Sequence, residues 1–179
     1  MNILDPIAHF EWTVGIILII YAFLGLPLAP LELFIVALAA DLPDFWDLLF
    51  SSRKTFAGRH RIISHSIFFV GSLFLIGFIF PIFFLISLAS FLHICEDALA
   101  GTEPIMFFLP LTNRFGFNLV NKEKNAKLGQ IVKRYLTPYF IGVDALHEEL
   151  AWFWALVIMG TFVLIIGLLL YIIRIGLFR

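Results

Sequence analysis

Three long stretches without a charged residue constrain the fold of this chain more than any other feature of its sequence. They run from Trp12 to Leu31, from Ser66 to Leu92 and from Leu150 to Ile173. A helix of about 20 apolar residues crosses the hydrocarbon core of a bilayer. Of the 179 residues, 61% are hydrophobic and 14% are charged, whereas about a quarter of the residues in a soluble domain are charged. The sequence therefore predicts a single-domain, all-α integral membrane protein.

Two proline-containing breaks predict that the apolar stretches form hairpins. Pro81 interrupts the middle stretch, and the segment from Gly25 to Pro30 separates the first stretch from a short apolar run at Leu33–Ala40. Proline removes a backbone donor and disrupts the preceding helical turn. We therefore expect about five hydrophobic helices, arranged as two short hairpins followed by a C-terminal span.

The charged residues predict how these helices are oriented and divide the chain into three parts. The hairpins place ten of the twelve Lys and Arg residues on one side of the membrane, and the positive-inside rule makes that side cytoplasmic. Residues 1–100 then contain the hairpins and the polar motifs. Residues 101–144 form a polar cytoplasmic segment over the site, with a helix at Lys122–Tyr135, and residues 145–179 contain the last span. This plan places the C-terminus outside the plasma membrane.

Histidine and aspartate residues lie in short motifs at the edges of the apolar stretches, where ionisable side chains are costly and usually functional. On the hairpin topology six of them reach one membrane face and are candidate metal ligands: His9, Asp44, His60, His65, His93 and Asp97. His93 and Asp97 are four residues apart, so they share one face of a helix. Imidazole and carboxylate donors suit zinc, with manganese or iron as alternatives. The sequence thus predicts a divalent metal site at the membrane surface.

Other polar residues near these motifs have interpretations that the sequence leaves open. Asp41 serves equally well as a helix cap or as a ligand, and Glu96 stays a further candidate for the site. Asp47 fits a solvated interface position better than a ligand, and His147 fits the surface before the last span. Ser64 is placed to cap the helix that follows it, since serine side chains accept from backbone N–H groups at helix N-termini.

Arginine residues beside the candidate ligands indicate an anionic substrate. Arg61 lies between His60 and His65, and a guanidinium matches phosphate or carboxylate with two parallel hydrogen bonds. We expect Arg61 to bind substrate, together with Ser64 and Arg114. A net charge of -1 and the lack of a basic run give no indication of a nucleic-acid partner.

The ordered motifs resemble those of the YdjM-like membrane-bound metal-dependent hydrolases. The matching motifs are an N-terminal helix histidine (His9), L-P-D ending at Asp44, H-R-x-x-[ST]-H-S at His60–Ser66, H-x-x-x-D at His93–Asp97, and a later G-T-x-P followed by Arg114. The order of motifs is also remotely similar to the zinc-dependent phospholipase C type. The family often has P-D-x-D, whereas Asp47 stands one place late here, and it often has Gly where this chain has Ile62. These departures leave open whether the chain has the second carboxylate of the P-D-x-D motif.

Together the residues and the resemblance predict a membrane-bound hydrolase that uses metal-activated water on a phosphoester, such as a lipid headgroup, at the cytoplasmic surface. Asp44, Arg61 and Asp97 are the candidate catalytic residues, and membrane lipids are the expected partners. One alternative is a metal or proton transporter that uses the same ligands, although such proteins often contain internal repeats that are not evident here. The other alternative is a non-catalytic membrane scaffold held together by structural metal.

Overall fold

The computed structural model describes residues 5–50, 64–100, 105, 108, 122–136 and 148–176. Its regular elements in these residues are α-helices: α1 (Asp5–Leu24), α2 (Pro30–Ala39), α3 (Leu42–Phe50), α4 (Ile67–Ile76), α5 (Ile82–Ala100), α6 (Lys122–Leu136) and α7 (Glu148–Gly176).

Five of these helices are apolar, which confirms the prediction of an all-α membrane protein. Segments of α1, α5 and α7 are long and apolar enough to cross a membrane, namely Ile7–Leu24, Ile82–Leu99 and Trp154–Gly176. Helices α2 and α4 are shorter apolar helices of 10 residues each. At 1.5 Å per residue each spans about 15 Å, so they are too short to cross the hydrocarbon core alone and pack against α5 instead.

The break between α1 and α2 lies where the sequence predicts it and has a specific backbone cause. Gly25 adopts φ 66°, a left-handed conformation that glycine reaches without a Cβ clash. The N–H of Gly25 donates to Ala22 O, and that of Leu26 donates to Tyr21 O, the pair of bonds that closes a helix C-terminus in a Schellman motif. Helix α2 then begins at Pro30, five residues after Gly25.

The second hairpin joins α4 to α5 through a tight turn at residues 77–81. The prediction that Ser64 caps the helix that follows it is wrong. Helix α4 starts at Ile67, and its N-cap is Ser66, whose side chain accepts a hydrogen bond from Phe69 N at 3.3 Å. Ser66 has the extended backbone of an N-cap (φ -100°, ψ 154°), whereas the hydroxyl of Ser64 lies 3.0 Å from the ring of His65.

Helices α1 and α7 form the most extensive helix pair, and glycines allow their backbones to approach closely. A Cβ on Gly15 would lie 2.7 Å from Leu164 N, and one on Gly167 would lie 2.5 Å from Gly15 O. Small residues let two helices approach closely, and van der Waals packing then takes the place of the hydrophobic driving force that helices lack inside lipid. Polar contacts reinforce the pair, since Thr161 Oγ1 donates to Glu11 Oε1 at 3.1 Å.

Helix α5 is the central element, because it contacts α1, α2, α3, α4 and α7. The main core between them consists of small and branched side chains: Val14, Ile17, Leu18, Leu28, Val36, Ala39, Leu85 and Ala89. By contrast, large apolar side chains of α7 point outward, with Phe162 61% and Ile172 63% exposed. An apolar exterior of this kind is the surface that contacts lipid.

Candidate metal centre

Four predicted ligands meet at one end of the helical bundle. Asp44 lies in the first turn of α3, His65 immediately precedes α4, and both His93 and Asp97 lie on α5. One donor atom from each residue lies within 4.8 Å of the others. His65 and His93 are completely buried and Asp97 is 1% exposed. The two hairpins therefore bring together side chains from three separate parts of the chain.

The distances between these donors match those of a small coordination polyhedron. His65 Nε2 lies 3.0 Å from Asp97 Oδ2, 3.2 Å from His93 Nε2 and 3.3 Å from Asp44 Oδ1. His93 Nε2 lies 3.5 Å from Asp97 Oδ2 and 3.6 Å from Asp44 Oδ1. Tetrahedral zinc with bonds of about 2.0–2.1 Å has neighbouring donors about 3.3 Å apart. The donor set thus fits a divalent ion in chemistry, number and spacing.

A backbone carbonyl orients the ring of His93. Its Nδ1 lies 2.6 Å from Ala40 O, and a carbonyl oxygen only accepts, so Nδ1 carries the hydrogen. A neutral imidazole in this tautomer directs the lone pair of Nε2 toward the cluster. Histidine ligands of metals commonly donate the N–H of their other ring nitrogen to a carbonyl or carboxylate oxygen in this way. Ala40 supplies it because it occupies the short connection between α2 and α3.

Ser64 plays the corresponding part for His65. Its hydroxyl lies 3.0 Å from His65 Nδ1, and both residues are fully buried. This contact holds the ring on its Nδ1 side and leaves Nε2 facing the carboxylates. The sequence prediction placed Ser64 in substrate binding, and the structure places its hydroxyl against the ring of a candidate ligand.

The carboxyl group of Asp44 stays charged at the edge of the cluster. Burial disfavours its ionised form, but the hydrogen-bonded rings of His65 and His93 outweigh that effect and hold the pKa of Asp44 well below its usual range. A metal ion binds neutral imidazole and ionised carboxylate groups, so its binding releases any protons held on them. With both imidazoles neutral, the carboxylates of Asp44 and Asp97 make the cluster a negatively charged site suited to a cation.

His9 lies beside the four-donor cluster and is bound to Glu96. Its Nδ1 lies 2.7 Å from Glu96 Oε2, whereas its Nε2 lies 3.7 Å from Asp97 Oδ1. The ring also stacks on that of His93, with centroids 3.9 Å apart. Thr13 Oγ1 donates to the other oxygen of Glu96 at 3.3 Å. The structure thus places His9 in a buried imidazole–carboxylate pair that touches the cluster.

Several predicted site residues lie outside the described residues. They are His60, Arg61 and Arg114; His147 and the side chain of Asp47, which the sequence predicts at the surface and the interface, also lie outside the described residues. Asp41 ends the connection before α3, where its carbonyl accepts from Phe45 N at 3.0 Å, the position of a helix N-cap.

Sequence reasoning overlooked Thr13 and the carbonyl of Ala40. Thr13 carried a usable signal, since it lies four residues after His9 on α1 and so shares its helix face. Ala40 carried no such signal in the sequence, because every residue has a carbonyl group and only the fold decides which carbonyl meets the ring of His93.

The candidate spans agree with what comparison with known protein families shows. The model of the YdjM inner membrane protein family matches residues 4–173. The chain belongs to this family. No curated protein and no solved structure matches it. Membership in the YdjM family confirms the resemblance drawn from the motifs and, with the three candidate spans, identifies an inner membrane protein. The family description gives a location and no reaction.

Proposed function

We propose that this YdjM protein is a metal-dependent hydrolase that acts on a phosphoester at the membrane surface. The observation that supports this most is the group of two carboxylate and two imidazole donors, in which each imidazole Nε2 lies 3.0–3.6 Å from the other three donors. A divalent metal ion supplies Lewis acidity and acidifies a water molecule at such a site. Zinc fits these donors, and manganese or iron are alternatives.

The residues around the cluster supply the remaining parts of a hydrolytic site. Asp44 and Asp97 neutralise the cation, while Ala40 and Ser64 orient the two rings. The His9–Glu96 pair would serve as the general base for a water held at the site, because His9 Nε2 lies at the edge of the cluster, 3.7 Å from Asp97 Oδ1. General bases of this kind contribute about 10²–10⁴-fold in rate.

The position of the cluster favours hydrolysis over transport. His9 lies in the second turn of α1, Asp97 in the last turn of α5 and Asp44 in the first turn of α3. Transport sites lie near the bilayer midplane, often at broken helices, whereas these residues lie at helix ends. A site at the end of the bundle meets lipid headgroups, which contain phosphoesters.

A structural metal site is the second candidate, and the number of donors favours it. Four protein ligands complete a tetrahedral zinc coordination, as in closed structural sites. Six-coordinate manganese or iron bound by the same four residues retains two open positions for water and substrate. Metal content and activity measured on one preparation therefore separate the two candidates.

Activity on a phosphodiester should depend on Arg61, the arginine between two of the predicted ligands. We expect purified protein, loaded in turn with zinc, manganese and iron(II), to hydrolyse bis(4-nitrophenyl) phosphate or a phospholipid in mixed micelles. Arg61→Lys keeps the charge but loses the planar fork, so it should retain metal and lose about 10²-fold in rate, as when one oxyanion donor is removed.

Arg53→Lys is the control for Arg61→Lys. Arg53 lies outside the H-R-x-x-[ST]-H-S motif, and we assign it to anchoring at the positively charged side of the membrane, so this variant should keep the full rate. Hydrolysis that is equal in both variants would remove Arg61 from the substrate site. A protein that binds metal and hydrolyses neither substrate with any of the three ions would favour the structural role.

The site is proposed to face the cytoplasm, with the C-terminus outside. This orientation rests on the distribution of Lys and Arg, ten on the side of the site and two on the other, which sets topology in short loops. Alkaline phosphatase fused after Arg179 should be active, because that enzyme requires export. A fluorescent protein that folds only in the cytoplasm should stay dark at the same position. Fluorescence there would show that the C-terminus lies in the cytoplasm and that the proposed orientation is wrong.

A further inference from the structure

A groove between α1 and α7 lies at the far end of the bundle from the metal centre. It has a volume of about 350 Å³ and is lined by Ala22, Phe23, Leu170, Ile173 and Arg174. These residues belong to the last turns of the candidate spans Ile7–Leu24 and Trp154–Gly176. His9 and Phe23 are 14 residues apart on α1, or roughly 21 Å at 1.5 Å per residue. The groove is thus a separate feature that opens toward lipid.

The lining combines an apolar wall with one guanidinium group. Phe23 and Ile173 are 78% and 55% exposed, so their side chains present hydrocarbon to whatever occupies the groove. Among the described residues Arg174 is the one charged residue in the lining, and it lies over Gly25, where a Cβ would be 3.7 Å from both Nε and Nη2. Arg174 is exposed at the end of the span.

An apolar wall that ends at an arginine matches a molecule with a hydrocarbon chain at one end and an anionic group at the other. We propose that the groove binds an anionic phospholipid, with an acyl chain against Phe23, Leu170 and Ile173 and the phosphate at Arg174. Guanidinium groups bind phosphate oxygens in pairs, and basic pockets between transmembrane helices bind lipid headgroups. The volume falls within the range of about 300–1,000 Å³ typical of ligand pockets. The proposal does not depend on the hydrolase function.

Native mass spectrometry of the full chain in detergent, titrated with phosphatidylglycerol or phosphatidylcholine, tests the site. We expect phosphatidylglycerol to bind more tightly than phosphatidylcholine, and Arg174→Gln to weaken phosphatidylglycerol binding about tenfold, the effect of one lost charged hydrogen bond. Leu170→Trp fills the groove while keeping the charge, and it should weaken binding of both lipids. Both substituted positions are exposed, and the thermal unfolding midpoint checks that each variant is folded.

Arg134→Gln is the matched control, because Arg134 is an exposed arginine in the last turn of α6. It should change the affinity for phosphatidylglycerol by less than about twofold, as for an exposed charge. An equal loss in Arg134→Gln and Arg174→Gln would mean that net charge alone attracts the lipid and would overturn the site. Unchanged binding in Leu170→Trp would exclude the groove, and a dimer that excludes the lipid would identify a second copy as the occupant.

Discussion

Alanine at His93 should weaken metal binding by at least about 100-fold. Loss of a residue that only supports a ligand costs about 10–100-fold in affinity, and His93→Ala removes both the Nε2 donor and the ring held by Ala40 O. Asp97→Ala should act similarly, because Asp97 Oδ2 lies 3.0 Å from His65 Nε2 and 3.5 Å from His93 Nε2. Elemental analysis by plasma mass spectrometry, after dialysis against a metal buffer, measures the bound ion.

Two control variants distinguish loss of a ligand from loss of any similar residue. Glu123→Ala removes an exposed carboxylate of α6 whose ion pair with Lys127 lies on the surface, and such pairs contribute little. His147→Ala removes the histidine before the last span. Both should keep their metal. If all four variants bound equal metal, the histidines would be packing residues, and the proposed hydrolase would lose its main support.

Alanine at Gly167 should destabilise the protein by about 2–3 kcal/mol, the cost of overpacking a close interface. The new Cβ would lie 2.5 Å from Gly15 O and 3.2 Å from Leu18 Cβ. Since the closest atom belongs to backbone, no side-chain rotation relieves the contact and α1 must move away from α7. Reversible unfolding of the purified protein in mixed micelles measures the change in free energy.

Gly71→Ala is the matched control for the glycine interface. Gly71 lies within α4, and nothing lies within 4 Å of the position of its added Cβ. Alanine there should stabilise the helix by up to about 1 kcal/mol, because glycine is the poorer helix former. A similar stabilisation in Gly167→Ala would show that helix propensity outweighs packing, and the close approach of α1 and α7 would then be wrong.

The positions of the helices could be predicted from the sequence because their causes are local. Uncharged stretches must lie in helices that bond their own backbone groups in lipid. Gly25, Pro30 and Pro81 interrupt those helices through their own backbone chemistry, and the structure has breaks at those places. The amphipathic helix at Lys122–Tyr135 was likewise predicted within one residue of its end at Leu136.

The candidate ligands could also be found in the sequence, although their arrangement could not. Ionisable residues at the edges of apolar stretches are costly, which drew attention to Asp44, His65, His93 and Asp97. Their meeting depends on two hairpins, and those were predictable from proline. The capping of α4 by Ser66 rather than Ser64, in which the Ser66 hydroxyl accepts from Phe69 N, was not predictable, because the two serines that flank His65 differ only in backbone conformation.

Only the tertiary structure decided which partner each polar group has. The helical period places His9, Thr13 and Glu11 on particular faces of α1, but the neighbour of each face depends on how the helices rotate and pack. Packing pairs His9 with Glu96 beside the cluster and brings Ala40 O to His93. The sequence by itself determined the helices and the donors, since both follow from the properties of single residues. Packing determined which polar groups pair with each other, because each pair depends on how the faces of two elements meet.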